Sequence, residues 1–102
     1  MYLIYCYVPE SHLELVKQAL FDAGAGQLGN YNQCCWQTEG TGQFCPDQQA
    51  EPFIGNSGEL TTMTEYKIEL ACHADCIDAA RDALLRAHPY ETPAYSIHPI
   101  NT

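Results

Sequence analysis

Ala87-His88-Pro89-Tyr90-Glu91-Thr92-Pro93-Ala94-Tyr95 separates an apolar helix pattern from a final apolar strand, and its reading decides the fold. Pro89 drives the residue before it away from helical geometry, so the helix predicted over residues 74–87 must stop here. The last strand is predicted over Pro93 to Ile100, bounded by Pro99, which cannot sit in a central ladder. A helix-to-strand connection needs little more than a glycine and a polar residue. Two prolines, two tyrosines, a histidine and a carboxylate exceed that need, so the corner is a candidate site as well as a boundary.

Working outward, Ile77, Ala80, Leu84 and Ala87 recur at three- and four-residue spacing, one face of an amphipathic helix. Asp75 and Asp78 lie in its first turn and Arg86 and His88 near its end, matching the helix dipole. Before it, Leu60 to Cys72 reads as a strand. Met63, Glu65, Lys67 and Glu69 alternate there with Tyr66, Ile68 and Leu70, which gives one wet face and one apolar face. The first half of the chain has the same parts. Residues 2–8 form an apolar, aromatic strand that Pro9 ends. Ser11-His12-Leu13-Glu14 fits a capping box, and Leu13, Val16, Leu20 and Ala23 follow at helical spacing. Gly24 is placed to end that helix as a left-handed cap. After the Gly29-Asn30 turn signal, Tyr31 to Thr38 is predicted as the second strand, with Cys34 and Cys35 pointing to opposite faces.

The order strand, helix, strand, strand, helix, strand is the ferredoxin-like split βαβ pattern. It is an α+β fold with four antiparallel strands and both helices on one face. The other sheet face then needs a cover. Trp36, the tyrosines and Phe44 are candidates to meet one, and a homo-oligomer, trimer or dimer, is the expected partner. Between the second and third strands, residues 39–60 form an irregular insert with four glycines and two prolines, anchored only by Phe44, Phe53 and Ile54. A run of that length without regular structure points to function or mobility. A small hairpin of Gln43-Phe44 with Pro52-Phe53-Ile54 is expected inside it, and its glycine stretch, Gly40 to Pro46, is expected to meet the corner.

Charge narrows the partners. Thirteen acidic residues against four basic ones give a net charge of −9. Lys17, Lys67, Arg81 and Arg86 are scattered, which suits neither nucleic acid nor an anionic membrane surface. The N-terminus lacks the charge and length of a signal peptide, no stretch is long enough to span a membrane, and the cytoplasm is the expected compartment. In that setting the six cysteines are read as reduced, mainly structural thiols. Cys72, His73 and Cys76 fit no standard zinc spacing, and no cofactor is expected. No nucleophile elbow or Ser-His-Asp order is present, so the residues lean away from an enzyme. Gly40-Thr41-Gly42 could cradle a phosphate, but no Lys follows it, and glycines that serve a tight turn are the plainer reading.

Gly24-Ala25-Gly26, Gly29, Tyr31, the Gly40–Pro46 stretch, Ile54-Gly55, Glu65 and Ala87-His88-Pro89-Tyr90-Glu91 together carry a resemblance. They resemble the insert domain of the NGG-interacting-factor-three-like (YqfO-like) proteins, a domain similar in fold to the trimeric CutA and PII proteins. The resemblance covers nearly the whole chain and implies that residues 1–102 are one CutA/PII-like domain standing alone. In the larger family members the two-metal site belongs to the flanking core domain, so neither metal ligands nor hydrolase activity carry over. What it implies is a non-catalytic, oligomeric binding or regulatory module. Its ligand site is expected at Gly40, Gly42, Phe44, Glu65, His88, Tyr90 and Glu91. His88 has a structural alternative as a helix-end residue, and Glu91 one as a fastener of its own turn. A CutA-like role in handling divalent metals is the second expectation, and a small hydrolase the third.

Overall fold

The computed structural model describes residues 1–102. In chain order they form β1 (Tyr2–Pro9), α1 (Leu13–Asp22), β2 (Trp36–Phe44), β3 (Thr61–Cys72), α2 (Ile77–Ala87) and β4 (Tyr95–Pro99). Single 3-10 turns at Glu10–His12 and Ala74–Cys76 lead into the two helices. The sheet order is β2-β3-β1-β4 with every neighbouring pair antiparallel, the ferredoxin-like arrangement.

Register explains the core. Ile4 sits opposite Leu70 and Ile97, and Cys6 opposite Ile68 and Tyr95, so the apolar residues of three strands share one face. Leu13, Val16 and Leu20 of α1 and Ala80 and Leu84 of α2 pack onto that face in one buried cluster. Ile4, Leu20, Ile68 and Leu84 are fully buried, each worth about 1.5–3 kcal/mol of transfer free energy. The opposite face carries Tyr5, Tyr7, Lys67, Glu69, Ser96 and His98, the residues between the buried ones. Gly24 closes α1 as expected. At φ +101° it lets its own N–H reach Phe21 O (3.0 Å) while the Ala25 N–H reaches Leu20 O (3.0 Å), the paired bonds of a Schellman cap. No helix is long and apolar enough to cross a membrane, and all six cysteines are free thiols.

Several local expectations are corrected. The second strand is Trp36–Phe44 rather than Tyr31 to Thr38, so Cys34 and Cys35 precede it and both are half-buried. Gly40, Thr41 and Gly42 are therefore strand residues, and neither glycine has a positive φ, so neither forms a turn or a phosphate loop. The irregular segment shrinks to residues 45–60, and the small hairpin of Gln43-Phe44 with Pro52-Phe53-Ile54 is absent. Ser11 does not cap α1. It lies in the 3-10 turn with its Oγ 2.8 Å from His12 Nδ1, and no side chain caps the helix start. The final strand begins at Tyr95, with Pro93 left in the corner.

Candidate functional site

The corner after α2 is fastened to the edge of β1. Ladder pairing of β1 with β4 ends at Cys6 opposite Tyr95, and residues of the corner take over. The Tyr7 N–H donates to Ala94 O (3.1 Å), and His88 Nε2 lies 2.7 Å from Tyr7 O. A carbonyl only accepts, so Nε2 carries the proton. Nδ1 must then accept, and it receives the Tyr90 N–H at 3.2 Å. His88 is thus a neutral imidazole with both nitrogens occupied. Burial lowers its pKa below the ordinary 6.5, against the opposing pull of the Tyr7 carbonyl and of Glu65. Its backbone N–H also closes α2 on Leu84 O (2.9 Å).

Beyond this clamp, β2 and β3 run on past the end of β1, since pairing with β1 stops at Glu65 while pairing with β2 continues to Thr61. The projecting ribbon, the corner and the irregular segment frame a cavity of about 310 Å³ that is open to solvent on one side. Tyr7 and Glu65 line it from the sheet, Gln43 to Pro46 from the end of β2, and Tyr90 to Thr92 with Ala94 from the corner. Ala50 and Pro52 to Ile54 close it from the irregular segment. Its walls are mostly apolar and aromatic. The Tyr90 ring lies 6.2 Å from Phe44, 6.5 Å from Phe53 and 4.8 Å from His88, and His12 meets Phe53 edge-on at 5.3 Å.

Two carboxylates supply the charge. Tyr90 donates its phenolic proton to Glu65 Oε2 at 2.6 Å, a short charge-assisted bond. Burial first, then the bond to Glu65, raises the Tyr90 pKa above its usual 10, so the phenol stays a donor. Gly42 makes this possible: a Cβ there would collide with the Glu65 carboxylate. Glu91 Oε1 accepts the Glu51 N–H at 3.0 Å, tying the irregular segment to the corner. This differs from the expectation that Glu91 fastens its own turn.

Of the seven residues expected at a ligand site, Phe44, Glu65, Tyr90 and Glu91 line the cavity. Gly42 lies against Glu65, His88 lies behind the wall with its ring nitrogens used, and Gly40 pairs with Glu65 in the ladder with open space where a side chain would stand. Sequence reasoning did not name Tyr7, Gln43, Cys45, Pro46, Ala50, Pro52, Thr92 or Ala94 as site residues, although Gln43, Cys45, Pro46, Thr92 and Ala94 belong to the two stretches expected to meet. Phe53 and Ile54 are the large apolar anchors of the insert, and that was a usable signal for this wall. Tyr7 could have been reached through register, because it pairs with Lys67, two residues along the strand from Glu65. Glu69 is elsewhere, bonded to Lys67 on the open sheet face (3.3 Å). No three or more His, Cys, Asp or Glu side chains converge as a metal-binding group.

The fold defines a class before a family. The CutA protein of Archaeoglobus fulgidus, described as a periplasmic divalent cation tolerance protein, superposes with a TM-score of 0.68. The match covers 100% of this chain and 86% of that one at 19% identity, and shows a shared CutA/PII-like ferredoxin-like fold. No family model matches the chain. A crystal structure of a Bacillus cereus protein related to NIF3 superposes with a TM-score of 0.83 at 37% identity, over 99% of this chain and 26% of that one. The GTP cyclohydrolase 1 type 2 homologue of Halalkalibacterium halodurans is 39% identical over 100 residues, 98% of this chain and 27% of that protein. The chain is therefore related, over nearly its whole length, to one segment of the NIF3-related (YqfO-like) proteins. It spans about a quarter of the length of the curated relatives it matches.

Proposed function

We propose that this chain is a non-catalytic binding or regulatory module of the PII- and CutA-like kind, working as a homo-oligomer and holding a small molecule in the cavity beside the corner. One observation carries the reading. Three separate segments, the end of β2, the irregular run and the corner, converge on a cavity of about 310 Å³, at the lower end of the ~300–1,000 Å³ usual for ligand sites. The groups around it suit holding better than turning over. His88 is saturated by two hydrogen bonds and neutral, and Tyr90 is held as a protonated donor to Glu65. Neither is free to act as a general base. The cyclohydrolase name borne by the relatives belongs to proteins of which this chain matches about a quarter.

Native mass spectrometry of protein purified without added metal or nucleotide tests this. The expected result is an oligomer that retains a small organic adduct, lost in the Phe44→Ala, Phe53→Ala double variant. A bare chain, with no member of a fragment library shifting the amide signals of residues 43–54 and 90–94, would count against the module reading.

A further inference from the structure

The chemistry of the cavity points beyond the existence of a ligand to its charge. Resting on the binding reading above, we infer that the cavity takes a small organic cation, a protonated amine carried on an apolar or aromatic body. The charged lining groups are Glu65 and Glu91, and none of the four basic residues of the chain lines the cavity. Each carboxylate spends one oxygen within the chain, Glu65 Oε2 on the Tyr90 hydroxyl and Glu91 Oε1 on the Glu51 N–H. The second oxygen of each takes no hydrogen bond from the chain. That of Glu65 is packed against the Gly42 α-carbon, so Glu91 Oε2 is the acceptor left for a donor that arrives from outside, with the charge of Glu65 beside it. Phe44, Phe53, Tyr7 and Tyr90 offer ring faces or edges around them, surfaces that attract a cation as well as an apolar body.

A phosphate or carboxylate ligand fails on the same grounds. It would meet two like charges with no lysine or arginine to offset them, inside a chain of net charge −9. The Gly40-Thr41-Gly42 stretch is extended strand paired with β3, not a turn that gathers backbone N–H groups around an anion. Gly42 instead admits the Glu65 carboxylate to its position against Tyr90.

The test uses the full chain and three probes with one phenyl body: phenethylamine, 2-phenylethanol and phenylacetate, with ATP as a phosphate probe. Amide shifts from ¹H–¹⁵N correlation spectra give site and affinity together. Phenethylamine is expected to shift residues 43–54, 65 and 90–94, with a Kd at least about tenfold below those of the other three, as one charge pair in a partly desolvated site provides. Glu65→Gln keeps an acceptor for Tyr90 and removes the charge, and should cut the preference for the amine to about threefold or less. If the neutral or anionic probes bind these residues as well as the amine does, the cation assignment is wrong while the binding module stands. If no probe reaches them at millimolar concentration, both are wrong. Should Glu65→Gln fail to fold, the ranking of the four probes on the unaltered chain still decides.

Discussion

His88 shows how one residue can look catalytic and be structural. Its imidazole replaces the ladder partner that β1 loses where β4 ends, donating to Tyr7 O and accepting from the Tyr90 N–H. The bond from the Tyr90 N–H requires the neutral ring, whereas the bond to Tyr7 O is kept by the protonated ring and opposes the effect of burial. Because folding lowers its pKa below 6.5, the unfolded chain takes up the proton more readily than the folded one. The stability this provides is complete above the ordinary value and is lost as pH falls through the lowered one. Urea midpoints are therefore expected to drop from about pH 7 to about pH 5, and to drop less in His88→Gln, which keeps an N–H for Tyr7 but does not titrate. His88→Ala should cost about 2–4 kcal/mol at neutral pH, from two orphaned backbone groups and a small void. The paired glycines allow a sharper comparison. Gly42→Ala puts a methyl into the Glu65 carboxylate and should cost about 1–3 kcal/mol while freeing the Tyr90 hydroxyl. Gly40→Ala meets nothing within 4 Å in a strand that disfavours glycine, and should be neutral or slightly stabilising. Equal losses at both positions, read by thermal melts, would contradict this account of Gly42.

Among the elements, those whose burial has a period were legible, and those without one were not. β3 alternates because one face meets the helices, and Ile68 and Leu70 stand out against Lys67 and Glu69 in the sequence as they do in space. β2 is an outer strand with every residue but Gly42 and Phe44 exposed, so it has no apolar alternation to read, and its two glycines suggested a loop. Ser11 fits a capping box by spacing, yet Pro9 is followed by a 3-10 turn that moves the true helix start to Leu13. The site was half legible for a related reason. Phe44, Glu65, Tyr90 and Glu91 announce themselves by residue type, whereas Ala50, Pro52 and Ala94 enter only because chain distant in sequence folds over them. That covering segment is held mostly by local bonds: three backbone bonds of its own, the Gln49 N–H to Asp47 and Asn56 to Glu59. Buried Pro46, the Glu51 N–H bond to Glu91 and the contacts of Phe53 with His12 and Tyr90 tie it to the rest. Amides 47–57 should exchange through local opening, faster than β1 and β3 by orders of magnitude. Phe53→Ala should speed them further, with little change in global unfolding. Uniform protection across the two regions would show that the segment belongs to the cooperative core.

At the scale of the whole molecule, an outline of 47 × 24 × 23 Å holds an open four-stranded sheet with one face bare of helices and two unpaired edges, on β2 and on β4. On that face Lys67 pairs with Glu69 at 3.3 Å and lies 4.6 Å over the Tyr5 ring, and Tyr5 stacks on His98 at 5.5 Å. Trp36 differs from these in its exposure. It is 68% exposed at the start of the outer strand, and its Nε1–H is satisfied by Thr38 Oγ1 at 2.9 Å, so what it offers outward is apolar ring. A large aromatic with its polar atom already bonded suits the centre of an interface, and the proposed homo-oligomer would use it together with the unpaired edge of β2. Charge acts in the opposite direction. Copies carrying −9 each repel, and the repulsion is screened by salt. Association should therefore strengthen from low to moderate ionic strength, the reverse of an assembly held by ion pairs. Trp36→Lys should weaken it by at least about tenfold at either salt level without lowering monomer stability. Sedimentation velocity at two salt concentrations checks both claims. A chain that stays monomeric at high protein concentration in both would remove the assembly from the proposal, and a Trp36→Lys oligomer of unchanged affinity would move the interface off this edge.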